Sequence, residues 1–193
     1  MKKENIRQHI ITVASELFYA QGYNVTGVNE IISKANIAKA TLYHHFRSKE
    51  DLCIAYLQQK HEQFLDELQG YIAEGESPKH QVLGIFELLR DRYRKKDFYG
   101  CWSQKIVAEI TPQNKRIFPL IQKHKKELLT TLGNVVQDSV ALISKAEREK
   151  LAGGLYLLYE GAVTESYLHK NDWPIHLAKQ MAADLFLTVQ LKR

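Results

Sequence analysis

The amino-acid sequence predicts an all-α protein. Apolar residues recur at three- and four-residue spacing in nearly every segment, the pattern that lines one face of a helix. No stretch alternates apolar and polar residues as a half-buried strand would. All four prolines lie beyond residue 77, so the first part of the chain lacks the residue that most disrupts a helix.

Ile6, Ile10, Val13, Ala14, Leu17 and Phe18 form one stripe, predicting a first helix over residues 4–21. Gly22 supplies its stop, because glycine accepts the left-handed conformation that ends helices. Thr26 is the expected N-cap of a second helix whose buried face is Val28, Ile31, Ile32 and Ala35. A short third helix is expected over 38–45. Ser48 with Asp51 three residues on has the spacing of a capping box, opening a long fourth helix toward residue 73.

Gly70, Gly75 and Ser77-Pro78 mark a break, with Pro78 placed as a first helical residue. Val82, Ile85, Phe86, Leu89 and Tyr93 line a fifth helix, and Gly100 to Ile110 a sixth. Pro119 should kink or restart the segment 113–142, since proline removes a donor and crowds the preceding turn. Ser144 and Glu147 form a second capping-box candidate for a helix running to His169. Asp172-Trp173-Pro174 opens the last helix, with Ala178, Met181, Ala182, Leu185, Phe186 and Val189 on one face.

The 193 residues with 45 % hydrophobic content are enough for a small domain joined to a larger one. The longest apolar runs are too short to cross a bilayer, and the polar start argues against a signal peptide. Cys53 and Cys101 are the only cysteines, so reduced thiols in a cytoplasmic protein are expected. No phosphate-cradling glycine loop, zinc-protease helix, nucleophile elbow or paired-carboxylate motif is present. The chain is therefore expected not to be an enzyme and to need no cofactor, with no membrane partner. His44 and His45 have no further ligand at metal-binding spacing, so no metal site is expected.

Net charge is +5, but residues 1–52 contribute only +2 of it. The basic signal is local: residues 36–49 hold Lys39, Arg47 and Lys49 and no acid. On a helix through 38–46, Leu42, Phe46, Ala38 and His45 share one side, while Ala40, Tyr43 and His44 lie opposite, flanked by Lys39 and Thr41. A short helix with a small, polar outer face is what the DNA major groove admits. Thr41, Tyr43 and Lys49 suit phosphate oxygens, and Ser48 at the start of the fourth helix offers free N–H groups to another.

The stretch Ala14-x-x-Leu17-Phe18-x-x-x-Gly22-Tyr23-x-x-Thr26-x-Val28-x-x-Ile31, followed by Ala35-x-Ile37-x-Lys39-x-Thr41-Leu42-Tyr43-His44-His45-Phe46-x-Ser48-Lys49-Glu50-Asp51-Leu52, resembles the N-terminal domain of TetR-family (TetR/AcrR) repressors. The resemblance implies a helix-turn-helix over residues 1–50 and a ligand-sensing, dimerising bundle over 51–193, about nine helices in all. It implies DNA contacts at Thr26 and Asn29 on the second helix, at Lys39, Ala40, Thr41, Tyr43 and His44, and at Ser48 and Lys49. The chain departs from the family's usual pattern at four positions. Asn36 stands for a turn glycine and Ala38 for a capping serine, while Gly27 and Asn29 stand for larger polar residues, so the operator sequence does not transfer.

The same resemblance implies a palindromic DNA operator, a homodimer through the last two helices and a largely apolar small-molecule effector that releases a repressor. Gly153, Gly154, Gly161 and Ala162 would allow those helices to approach closely. Tyr93, Trp102, Ile106, Phe118, Tyr156 and Tyr159 are the apolar candidates for the effector pocket, with Lys105, Glu109 and His124 as polar anchors. Cys101, four residues before Lys105, reads either as an inert buried thiol or as a redox or electrophile sensor. A helical protein-interaction adaptor and an unrecognised all-α enzyme are the alternatives of different class.

Overall fold

The computed structural model describes residues 6–140 and 143–190, without the side chains of 189 and 190. The described residues hold nine helices and no strand: α1 (Ile6–Gln21), α2 (Val28–Ala35), α3 (Lys39–His45), α4 (Lys49–Ala73), α5 (Pro78–Tyr93), α6 (Trp102–Glu109), α7 (Ile117–Ser139), α8 (Lys145–His169) and α9 (Trp173–Gln190).

The helix ends follow local chemistry. Ser77 caps α5 by accepting from the His80 N–H, with Pro78 as the first helical residue. Ser144 and Glu147 complete a reciprocal capping box at α8. Pro119 neither kinks nor restarts α7. It sits in the first turn, where its missing N–H would have had no intrahelical partner. Leu142, the expected end of that segment, lies outside the described residues, as does the Val189 side chain of the last stripe.

One expectation for the second helix is corrected. Its N-cap is Gly27, which makes no side-chain hydrogen bond, rather than Thr26. Thr26 is fully buried, and its hydroxyl donates to the Gly22 carbonyl at 2.6 Å while accepting from Gln21 Nε2 at 3.3 Å. The threonine therefore closes the α1–α2 turn from inside. Gly22 itself has φ +102°, open to glycine at no cost and strained for any other residue.

The chain forms two compact units, and neither is continuous in sequence. The first joins Met1–Glu62 to Trp102–Gln122; the second joins Gln63–Cys101 to Lys123–Arg193. The first has a core from α1, α2, α3 and the start of α4, closed by Ile106, Ile117 and Ile121. Phe18 is its centre, with Tyr23 and Tyr56 ring centroids at 5.5 and 5.6 Å. In the second, Gly84 of α5 lets that helix lie against the Tyr71 backbone of α4, where a Cβ would come within 3.2 Å. Lys179 of α9 pairs with Glu87 of α5, fixing those two helices against each other.

Candidate nucleic-acid interface

Helices α2 and α3 form a helix-turn-helix. Asn36 ends α2 in the left-handed conformation, φ 51° and ψ 51°, which asparagine tolerates better than most residues. The Ile37 N–H then reaches back to the Ile32 carbonyl at 3.2 Å, closing the turn. Ala38 occupies the α3 N-cap with no side-chain hydrogen bond. A serine there would contribute about 0.5–2 kcal/mol.

Docking of α3 matches the division of its faces at Leu42 and Phe46, whereas Ala38, expected on the same side, is exposed. Leu42 is 1 % exposed and Phe46 3 %, while Lys39, Ala40, Tyr43 and His44 are exposed and Thr41 half-buried. His45, half-buried, meets the His44 ring edge-on at 5.0 Å. Arg7 lies 5.2 Å over the Phe46 ring, covering the helix end from α1. Five outward side chains therefore stand on one short helix held by two apolar anchors.

The expected phosphate contacts are placed less simply. Ser48 Oγ accepts from the Asp51 N–H at 3.0 Å, capping α4. Lys49 Nζ lies 4.4 Å over the Tyr23 ring and donates to the Asn24 carbonyl at 3.4 Å. Burial against these groups lowers the lysine pKa, and burial raises that of Tyr23 to about 12. On α2, Asn29 is exposed, whereas Thr26 presents no hydroxyl to solvent. The phosphate contact expected at Thr26 is therefore not presented: the whole residue is closed to solvent.

The N-terminal geometry is matched by comparison with known proteins. Residues 10–56 fit the model of bacterial regulatory proteins of the tetR family. The matched stretch spans most of α1, all of α2 and α3, and the first turns of α4. An HTH-type transcriptional regulator from the lacX 3′ region of Lactococcus lactis subsp. lactis is 26 % identical over 168 residues, covering 80 % of this chain and 83 % of its own. Among solved structures, a TetR-family transcriptional regulator from Streptomyces coelicolor has TM-score 0.80 at 23 % identity, covering 97 % of this chain and 89 % of that one. The reduced form of Escherichia coli NemR has TM-score 0.81 at 21 % identity, covering 94 % and 97 %.

Around this helix-turn-helix, three expected pocket residues have another task. Ile106 is fully buried in the core of the first unit. Lys105 Nζ donates to the Tyr19 carbonyl at 2.7 Å, near the end of α1. Glu109 accepts from the Asn24 N–H at 2.5 Å, and its own carbonyl accepts from Asn24 Nδ2 at 2.9 Å. Together they tie α6 to the α1–α2 turn. Trp102 and Phe118, both half-buried, also belong to this unit.

Tyr93, His124, Tyr156 and Tyr159 belong instead to the second unit. Tyr93 packs edge-on against Phe98 at 5.3 Å, and Tyr159 lies 5.9 Å from Phe64. His124 is buried and Tyr156 half-buried. The nine pocket candidates are thus divided between two units. The ammonium expected beside Cys101 is also corrected: Lys125, not Lys105, lies 3.5 Å from its Sγ, and it pairs with Glu160 at 2.5 Å.

Residues that sequence reasoning passed over include Asn24, Glu50, Asn114 and Arg116. Asn114 Nδ2 donates to Glu50 at 2.8 Å, and Arg116 bridges Glu50 and Asp51 at 2.8 and 2.6 Å. An arginine some 65 residues from its partners carries no local signal. Only the unpaired acids at 50–51 could have prompted a search for a cation.

Proposed function

We propose that this TetR-type regulator is a ligand-released repressor that reads a near-palindromic operator as a homodimer. The observation that carries DNA reading is the outward set Lys39, Ala40, Thr41, Tyr43 and His44 on a helix anchored by Leu42 and Phe46. Ala40 leaves room for base edges or a thymine methyl, and its neighbours offer hydrogen bonds and charge. Ser48, Lys49 and the first N–H groups of α4 receive the backbone, with the exposed Asn29 of α2 as a further contact.

Dimerisation is supported by the outer face of α8 and α9. Leu157 is 70 % exposed, Met181 48 % and Leu185 37 %. With Gly154, Leu158, Asp184 and Thr188 they line a groove of about 540 Å³. A contiguous apolar face of this kind marks an interaction surface, and a second copy would pair the same two helices into a four-helix interface. Gly153 and Gly161 have open space where a side chain would stand. Two copies would set their α3 helices about one DNA turn apart.

The effector is a largely apolar small molecule bound in the second unit, where Tyr93, His124, Tyr156 and Tyr159 are the candidates. Its binding would act by preferring a dimer geometry that misfits the operator. A thermal-shift screen of hydrophobic compounds would reveal it through linkage.

Footprinting on DNA flanking the protein's own gene tests the DNA-binding reading. Protection of a site with two related half-sites is expected; no protected site at low salt without effector would sink it. Lys49→Ala should weaken binding to every sequence and reduce the salt slope by about one per protomer. His44→Ala should instead relax base preference at one position of each half-site, and a uniform loss would remove its reading role.

A further inference from the structure

The first turn of α4 carries a conflict. On the DNA-binding reading this end of the helix receives the DNA backbone, yet Lys49 is followed there by two acids, Glu50 and Asp51. Carboxylates there favour the helix dipole, but a nearby phosphate repels them. The chain brings a single cation to both from far along the sequence. Arg116 Nη1 lies 2.8 Å from Glu50 and Nη2 2.6 Å from Asp51, a forked arrangement.

The guanidinium is held in place from behind. Asn114 Oδ1 accepts from the Arg116 N–H at 3.0 Å and the Ile117 N–H at 2.7 Å, while its amide donates to Glu50. Ile117 is fully buried and anchors the segment. Arg116 itself is half exposed, so the pair contributes little to stability. Its charge acts at the surface, where a DNA backbone would arrive. Arg47 also acts on Asp51 through space, but Arg116 alone is bonded to both carboxylates, so without it both acids face the surface less neutralised.

We infer that Arg116 is a positioning residue for operator binding: it neutralises Glu50 and Asp51 so that a phosphate can approach Ser48 and Lys49. The inference rests on the DNA-binding reading above and adds a residue outside the helix-turn-helix to it. It requires no contact between Arg116 and DNA.

A double-mutant cycle tests it, using the full chain and a fluorescent duplex of the footprinted site. Arg116→Ala should weaken binding about threefold to tenfold at about 50 mM salt and much less at about 200 mM, as the excess charge is screened. In a Glu50→Gln, Asp51→Asn background the same change should cost less than about twofold, because the carboxylates it masks are gone. That double background alone should bind more tightly than the wild type at low salt, an arm that stands even where Arg116→Ala fails to fold. Equal losses in both backgrounds would mean a direct phosphate contact and overturn the inference. So would a loss that does not change with salt, or a double variant that binds no tighter. A wild-type protein that binds no duplex would overturn the DNA-binding reading and this inference with it.

Discussion

Shortening Leu42 to alanine should lower the stability of the DNA-reading unit by about 2–5 kcal/mol and abolish operator binding at concentrations where the wild type saturates. Helix α3 has seven residues, and Leu42 is the one that is buried. So short a helix has no stability of its own in water. Its place depends on Leu42 and on Phe46, which follows it. Truncation removes apolar contact and leaves a cavity in the core of the first unit, whose neighbouring side chains relax only in part. Urea unfolding followed by far-UV circular dichroism measures the cost. Tyr43→Ala is the matched control: its side chain is 43 % exposed, so it should bind DNA poorly while unfolding at the wild-type midpoint. A Leu42→Ala protein that unfolds like the wild type would show that α3 is docked by other contacts.

Ile106→Ala should have an effect of the same size, about 2–5 kcal/mol, and in an unexpected place. Ile106 stands on α6 but is fully buried among residues of α1, α2 and α4. Emptying its site should loosen the helix-turn-helix and leave the second unit intact. Amide hydrogen exchange can tell the two apart. Protection should fall at α1 around Phe18 and Tyr19, and at the turn where Glu109 holds Asn24. Faster exchange confined to α5, α8 and α9 would refute this assignment. Operator affinity should fall in step with the loss of protection, since α6 fixes the turn from which α2 departs.

The contrast between these two residues shows what a sequence can disclose. Leu42 was readable because a helix repeats every 3.6 residues and its faces separate on paper. Caps were readable for the same reason: Ser48 with Asp51 and the Ser144–Glu147 box act within one turn. Thr26 misled because it has the residue type of a cap, while Gly22, four residues earlier, takes its hydroxyl. Ile106 announced burial but not its partner, for periodicity says that a face is covered and never by what. Lys105 and Glu109 looked like polar anchors of a pocket, and their true partners, Tyr19 and Asn24, are more than 80 residues away. The stripe on α9 held a similar ambiguity. Ala178, Ala182 and Phe186 are buried within the chain, while Met181 and Leu185, in the same stripe, face outward. Spacing alone treats both sets alike.

The interleaving of the two units along the chain also bears on how such a protein can be inherited and rebuilt. A module that ends where its sequence ends can be exchanged by one crossover. Here the unit that carries the helix-turn-helix closes only with residues 102–122, inserted between parts of the other unit. A chimera joined once, after Glu62, would pair α1–α3 with a foreign α6 and a foreign segment at 114–116. It would put Asn24, Glu50 and Asp51 beside side chains never selected to meet them. Grafting this operator specificity onto another sensor therefore calls for three junctions, near 62, 101 and 122. Recombination that respects only the helix-turn-helix would carry the reading face and leave its fastening behind.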